Sequence, residues 1–354
     1  MSKLFFKDTP IIGLDISTAS VKAMSIDEKK WLVNGYGSLD LDPLKVKDAL
    51  ETADGSYLTE NIKTLFSEKV VGSLVGTHVA VTLPTARTYC RTFTLPYSAE
   101  HTLREAVTLE AEQYIPIPAS TLYIDYAIIE RNRSQKIITV LMYAIPRTVV
   151  DNTVKCVEDA GYEPVFVEPS ISAVTRLLTK TESANLPTIV VDIGPTSTDI
   201  AIIDKGHLRV TGGLAIGGNT FTLDIAKKLN IPLENAHQLK VLNGLNAGPR
   251  QQRLRETLSP SLERILAEVR KVMRYYTERI NSEQKLEQLL VVGSGSSMPG
   301  IGEFFTESLV IAARVASPWQ RLDFAKLQEP PRQFRPRYIT VAGIAGVPPE
   351  RMWK

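Results

Sequence analysis

The stretch that decides the fold reads TIVVDIGPTSTDIAIIDKGHLRV, residues 188–210. An apolar run ends at Asp192, gives way to Gly194, Thr196, Ser197 and Thr198, and resumes at Ile200 to Ile203. This pattern predicts two buried strands joined by a tight hairpin, whose tip offers hydroxyls and backbone N–H groups with little bulk. A single such hairpin needs no function, because Asp and Ser side chains there bond their own backbone. The pattern, however, occurs twice. In IIGLDISTASVKAMSID, residues 11–27, alignment of Asp15 with Asp192 sets Ile12, Ile16, Ser20, Ile26 and Asp27 opposite Ile189, Ile193, Ser197, Ile203 and Asp204. Six identities in seventeen positions, 177 residues apart in a chain of 354, describe a duplicated unit rather than a solenoid repeat. Two facing tips, each with a carboxylate and small donors, suit a polyphosphate and its magnesium held between two lobes. Mg²⁺ keeps several waters, so Asp15 and Asp192 acting partly through water suffice as its protein ligands.

Composition narrows the classes. With 44% hydrophobic residues the chain has material for two domains or one large two-lobed unit. A net charge of +2 and the lack of a dense basic stripe interleaved with aromatics argue against nucleic acid. RQFRPR, residues 332–337, reads as a solvated connector. Cys90 and Cys156 have no metal-ligand spacing and build no disulfide framework, and the four histidines are scattered, so no zinc site is expected. MSKLFFKDTP is too short and polar for a signal peptide, and no apolar run reaches a membrane span. The expectation is a soluble, intracellular protein.

Strand signals and helical periods alternate along the chain, which predicts an α/β fold. THVAVTLP and TYCRTFTLP read as strands, and Ser98 is placed to cap a helix that runs to about Tyr114 and stops at Pro116 and Pro118. LYIDYAIIE and KIITVLMYAIP read as two more strands, and VVDNTVKCVEDAGYEP as a helix closed by Gly161. Residues 83–160 therefore read as an inserted α+β unit. Further on, Gly217 and Gly218 stand at the entrance of a helix, where they permit close approach of a phosphate or sugar or simply cap it. A long amphipathic helix is expected to start with Ser259 as N-cap and Pro260 as first residue. The strand Leu289–Val292 then ends in Gly293, Ser294, Gly295, Ser296 and Ser297, a small-residue turn before the next helix.

Together these pieces resemble the actin-like ATPase superfamily over nearly the whole chain. Within it they are most similar to the PilM family of type IV pilus assembly proteins, with the division protein FtsA as a relative. LEAEQYIPIPASTLYIDYAII, GGNTFTLDIAKKL and LLVVGSGSSMPGIGEFF carry the closer resemblance. It implies a two-lobed fold with a small inserted subdomain. Residues 1–82 would begin lobe I, 83–160 form the insertion, 161–186 the first connecting helix, 187–334 lobe II and 335–354 the second connecting segment. It also implies an ATP/ADP and Mg²⁺ site. Asp15, Ser17, Thr18 and Ser20 would form the first phosphate loop, and Asp192, Gly194, Thr196, Ser197 and Thr198 the second. Gly293, Ser294, Gly295, Ser296 and Met298 would form the adenosine loop, with Gly217, Gly218 and Lys240 beside the nucleotide. Ser17, Pro195, Ser294 and His237 depart from the family's pattern: Ser17 narrows the approach to the phosphates, Pro195 removes a backbone donor, Ser294 replaces a common glycine, and His237 stands at the glutamate position of the ribose-contacting pattern in AHQLK.

Hydrolysis needs a group that orients water toward the γ-phosphate. In this superfamily it comes from the entrance of the first connecting helix, where Glu168, Ser170 and Ser172 lie, and Glu168 before Pro169 alternatively caps that helix. ATP binding with slow or absent hydrolysis is expected. The resemblance further implies an adaptor recruited to the inner face of the cytoplasmic membrane by binding the N-terminal cytoplasmic peptide of a PilN-like bitopic membrane protein. Other platform or motor proteins of the pilus machinery are further candidate partners, and self-association is left open. Two rivals are an FtsA-like cell-division filament and a small-molecule kinase of the same superfamily. FtsA proteins end in an amphipathic helix, which Pro348 and Pro349 in GVPPERMWK disfavour here. A sugar kinase needs a catalytic aspartate and a polar sugar cleft, and no segment supplies both.

Overall fold

A computed structural model describes residues 11–52, 54–182, 186–246, 248–281 and 283–348. The expectations placed on the first ten residues and on those from Pro349 onward lie outside the described residues. In chain order the first part runs β1 (Ile12–Ser17), β2 (Ser20–Asp27), β3 (Leu32–Asp40), α1 (Pro43–Glu51), α2 (Ser56–Glu68), β4 (Val70–Gly72) and β5 (His78–Leu83). Next come β6 (Tyr89–Pro96), α3 (Leu103–Tyr114), β7 (Leu122–Asn132), β8 (Ile137–Pro146), α4 (Arg147–Asp159), β9 (Glu163–Pro169) and α5 (Ser170–Thr181). The second half holds β10 (Thr188–Ile193), β11 (Thr198–Asp204), β12 (His207–Leu214), α6 (Gly218–Leu229), α7 (Leu233–Asn243) and α8 (Pro249–Arg279). It closes with β13 (Gln288–Val292), α9 (Ile301–Leu309), β14 (Ala312–Val315) and α10 (Ile339–Ala345).

Three sheets result. The first has the order β4-β3-β2-β1-β5-β9, the second β12-β11-β10-β13-β14, and a smaller third β6-β8-β7. Each repeated motif is an antiparallel hairpin at the heart of a large sheet, and its first strand also pairs in parallel with a neighbour, β1 with β5 and β10 with β13. Strands buried on both faces explain the continuous apolar runs. Between the two large sheets lie α5 and α10, whose Ala173, Val174, Leu177, Val341, Ala342 and Ile344 share one core with Met24, Val190 and Ala201. These helices approach so closely that a Cβ on Gly343 would lie 2.1 Å from the carbonyl oxygen of Ala173. Each lobe has a further core on its outer face, and the third sheet packs against α3 around Val107, Val140 and Met142.

Three local expectations need correction. Residues 97–102 form a 3₁₀ turn and α3 begins at Leu103, so Ser98 does not cap it. The long helix α8 starts at Pro249, with Pro260 inside it. Leu254, Leu258, Leu262 and Leu266 form one buried stripe that continues across an exposed Pro260. Burial on both sides outweighs the helix bond that proline forfeits. Finally, α4 does not pack with the three-stranded sheet alone. Cys156 and Val157 join the lobe I core beneath α1 and α2, and Asn152 donates to the carbonyl of Leu50 at 3.1 Å. The three-stranded sheet with α3 is thus the unit that stands apart, and α4 returns the chain to lobe I.

Candidate functional site

The two hairpin tips meet. Thr18 Oγ1 and Thr196 Oγ1 are hydrogen-bonded to each other, 178 residues apart in sequence, across the cleft between the lobes. Asp15 and Asp192 lie behind these tips at matching places in β1 and β10, and their surroundings differ. Asp15 is 1% exposed and faces Lys22 on β2. Its Oδ2 accepts from Lys22 Nζ at 2.6 Å and its Oδ1 from Thr82 Oγ1 at 2.7 Å. Asp192 faces Asp199 on β11, and neither has an ion-pair partner among the described residues. Burial first, then the Asp15 carboxylate, pushes Asp192 up to about 6, with Lys22 opposing. Burial and the Asp192 charge push Asp199 up to about 7, against a hydrogen bond from Thr85. The second hairpin therefore holds two carboxylates that lack a cation.

The other expected loop residues divide into those free to meet a ligand and those occupied. Ser17 Oγ donates to the Ser20 carbonyl at 2.9 Å and shares a bond with Ser20 Oγ at 2.8 Å, so both hydroxyls close the first tip. Thr198 is buried and donates to the Ile216 carbonyl at 2.7 Å. Gly194 N–H donates to Ser197 O at 2.9 Å, which sets the second turn. Gly217 and Gly218 admit backbone. A Cβ at Gly217 would lie 2.5 Å from the Gly194 oxygen, and Gly218 N–H and Asn219 N–H donate to the carbonyls of Gly194 and Pro195 at 2.9 and 2.8 Å. The second tip is thus docked on the start of α6, whose first amides it takes up. Lys240 on α7, 7% exposed, donates to Gly218 O at 2.8 Å and Thr222 Oγ1 at 2.9 Å, and burial lowers its ammonium to about 8.

Gly293 stands where a side chain would be strained. Its φ is +81°, and a Cβ there would sit 2.2 Å from Asp192 Oδ1. The turn from Ser294 to Ser297 is held by Ser296 N–H and Oγ donating to the Gly293 carbonyl at 3.1 and 2.7 Å, and Met298 is buried beneath it. The residues expected to form an adenosine loop therefore lie directly against the second hairpin. Glu168 is different. Both its carboxylate oxygens accept from Arg176, with Nη1–Oε1 at 2.6 Å, and the pair is buried. Arg176 also donates to Gly343 O at 3.0 Å. Glu168 thus ties β9 and α5 to α10. It does not cap α5, whose Ile171 N–H is taken instead by Thr85 Oγ1 at 3.1 Å.

Lys22 and Asp199 are the site residues that the sequence pattern did not single out. They occupy the same place in the two copies, seven residues after Asp15 and Asp192, and each lies directly across from its aspartate. Mg²⁺ fits the second hairpin, where Asp192 and Asp199 stand together without a cation, better than the first, where Lys22 already neutralises Asp15.

Two lobes built on duplicated hairpin sheets, joined by two central helices and closed by facing loops, define the actin-like fold. MreB 5 of Spiroplasma citri, solved bound to AMPPNP, superposes with a TM-score of 0.52 at 15% identity, covering 95% of each chain. The solved structure titled PilM-PilN type IV pilus biogenesis complex superposes with a TM-score of 0.78 at 21% identity, covering 95% of this chain and 97% of that one. In sequence, the cell division protein FtsA of Bacillus subtilis is 28% identical over 191 residues, 49% of this chain and 43% of FtsA. The chain spans less than half the length of the curated relatives it matches. The family model described as type IV pilus assembly protein PilM matches residues 13–346, and the chain belongs to that family.

Proposed function

We propose that this chain binds Mg-ATP between its lobes and acts as an adaptor of the type IV pilus assembly platform, taking the N-terminal cytoplasmic peptide of a PilN-like membrane protein. The observation that carries the nucleotide half is the meeting of Thr18 and Thr196 in front of a carboxylate pair that lacks a cation. When bound, Mg²⁺ supplies the positive charge that Asp192 and Asp199 lack, and the polyphosphate supplies acceptors for the tip hydroxyls. Lys22 then serves two acceptors, Asp15 and a phosphate oxygen, while Lys240 stands near the adenosine side. Turnover is expected to be slow or absent, because Glu168 is fully paired with Arg176. Asp199 is the remaining carboxylate near the second tip. No described helix is long and apolar enough to cross a membrane, which suits recruitment through a partner.

The peptide half rests on family membership and on the likeness to the PilM-PilN complex. A ligand that bridges both tips favours one relative angle of the lobes, and by linkage a peptide preferring that angle tightens ATP binding by the same factor. Calorimetry with Mg-ATP on the wild type and on Asp192→Ala tests the nucleotide half. Heat from the wild type that disappears in the variant is expected; equal heats, or none from the wild type at millimolar ATP, would sink it. Peptide titrations of the apo, ADP and ATP forms test the switch, and three equal affinities leave a static scaffold.

A further inference from the structure

Thr85 stands where three segments meet: the end of β5, the start of α5 and the second hairpin. The parallel register of β5 and β9 pairs Leu83 with Pro169, so the chain leaves both strands side by side and brings Thr85 to Ser170. Thr85 is buried, and its Oγ1 lies 2.9 Å from Ser170 Oγ and accepts from Ile171 N–H at 3.1 Å. On its other side is Asp199 of β11, a third hydrogen-bond partner that lines the same cavity. Gly213 faces Asp199 across β11 and β12. A Cβ there would lie 3.1 Å from Asp199 Oδ1, so the glycine leaves the carboxylate its space.

These partners fix the direction of each hydrogen bond. A threonine hydroxyl has one proton to give and two lone pairs to offer. Ile171 N–H can only donate and fills one lone pair. Asp199 as a carboxylate can only accept and takes the proton. Ser170 then donates to the second lone pair. In this order Thr85 is fully satisfied, and every bond points from α5 toward Asp199. Pro169, at the N-cap of α5, offers no side-chain bond, and Thr85 supplies the missing cap from another strand. Ser172 in the same turn hydrogen-bonds Tyr143 of β8, so both serines at the entrance of α5 are engaged within the protein.

A helix cap needs no third partner. The third bond crosses from the chain that follows β5 of lobe I to a lobe II strand. We propose that Thr85 is a positioning residue, which fixes the Asp199 carboxylate for a divalent cation and links that cation's presence to the first turn of α5. This rests on the Mg-ATP site proposed above. The Thr85 donor occupies one of the carboxylate's acceptor sites and leaves the others for the cation and its waters. A cation favours the charged form of Asp199, which is the form that draws the Thr85 proton. Hydrogen bonds in a chain strengthen one another, so the bond from Ile171 N–H tightens with it.

The test measures ATP affinity by calorimetry, with Mg²⁺ and with EDTA, in wild type, Thr85→Val and Thr85→Ser, with thermal denaturation as the folding control. The ratio of the two dissociation constants reports the contribution of the cation. Positioning predicts that the ratio falls at least about fivefold in Thr85→Val, that affinity for metal-free ATP stays within about twofold, and that Thr85→Ser restores the wild-type ratio. A cap and nothing more predicts a lower melting temperature with an unchanged ratio, and that result overturns the proposal. Equal losses with and without Mg²⁺ in Thr85→Val overturn it as well. A second readout needs no variant. Backbone hydrogen exchange at residues 170–173 of the wild type should be at least about threefold slower with Mg-ATP than with ATP and EDTA; equal exchange overturns the link to α5. Wild type that binds ATP equally with and without Mg²⁺ overturns the positioning role and leaves a nucleotide site standing, whereas wild type that binds no ATP overturns both.

Discussion

The hairpins β1–β2 and β10–β11 are copies in sequence and opposites in charge. In each, an aspartate near the end of the first strand faces the residue seven positions later on the second. That residue is Lys22 in one copy and Asp199 in the other. The first hairpin completes its own ion pair inside the protein, with Thr82 on the remaining oxygen. The second leaves two acids side by side and raises both. One fold element, duplicated, thus carries two electrostatic settings: a self-neutralised arm, and an acidic arm with no cation among the described residues. A nucleotide with its magnesium carries both charges. The pairing of unlike hairpins therefore suits it better than two identical aspartates would.

The sharpest way to break the contrast is to remove the internal partner. Lys22→Met leaves Asp15 buried and unpaired, so the apo protein should lose about 3–5 kcal/mol in chemical denaturation. Asp199→Asn, at the equivalent place, removes a like-charge neighbour and should cost nothing or stabilise. Equal losses from both would erase the difference between the arms.

A second test uses pH. Asp192 and Asp199 sit at about 6 and 7 in the folded protein, against about 3.9 for an unfolded aspartate. Between pH 4 and 7 the native state thus holds more protons than the unfolded state. The stability these groups contribute is fully present below pH 4 and is lost as pH rises through 6 and 7. The melting temperature of apo protein should fall over that window, and the fall should be shallower in Asp199→Asn. An identical slope in wild type and variant would show that Asp199 is not the group that titrates. Saturating Mg²⁺ with ATP should flatten the wild-type profile as well, because a cation beside the pair favours the charged forms.

The fold was legible because strand burial and hairpin chemistry are local and repeat: Asp15, Asp192 and the turn at Gly293 stand where the alternation placed them. What decides their roles was less legible. Lys22 and Asp199 drew no notice because a repeat is recognised by its identities, and here the information lies at a position where the copies differ. Glu168 read as a helix cap or a catalytic group, since nothing local shows that Arg176, two helical turns on, takes both its oxygens. Pro260 read as a helix start because the proline rule is local, whereas the stripe of leucines that carries α8 through it is satisfied only by packing. Gly217 and Gly218 read as room for a ligand or as a helix cap, and the second hairpin's own backbone lies against them.

The smallest effect sharpens the comparison at the tips themselves. Thr18 and Thr196 are the direct hydrogen-bonded contact between the two arms, and each hydroxyl finds its partner in the other. In the nucleotide site proposed above, a polyphosphate entering between the tips takes over these donors and breaks this bond. A double-mutant cycle with Thr18→Val and Thr196→Val should give a coupling of about 0.5–1 kcal/mol in apo stability, typical of a neutral hydrogen bond. With saturating Mg-ATP the same cycle should show no direct coupling, because each hydroxyl then bonds the ligand separately. Each single variant loses a phosphate donor, yet the first substitution should weaken ATP binding less than the second, since it also removes the interdomain bond that ATP must otherwise break. If the coupling is unchanged by ATP, the tips stay joined when nucleotide binds. The polyphosphate would then lie outside the gap that the two hairpins enclose.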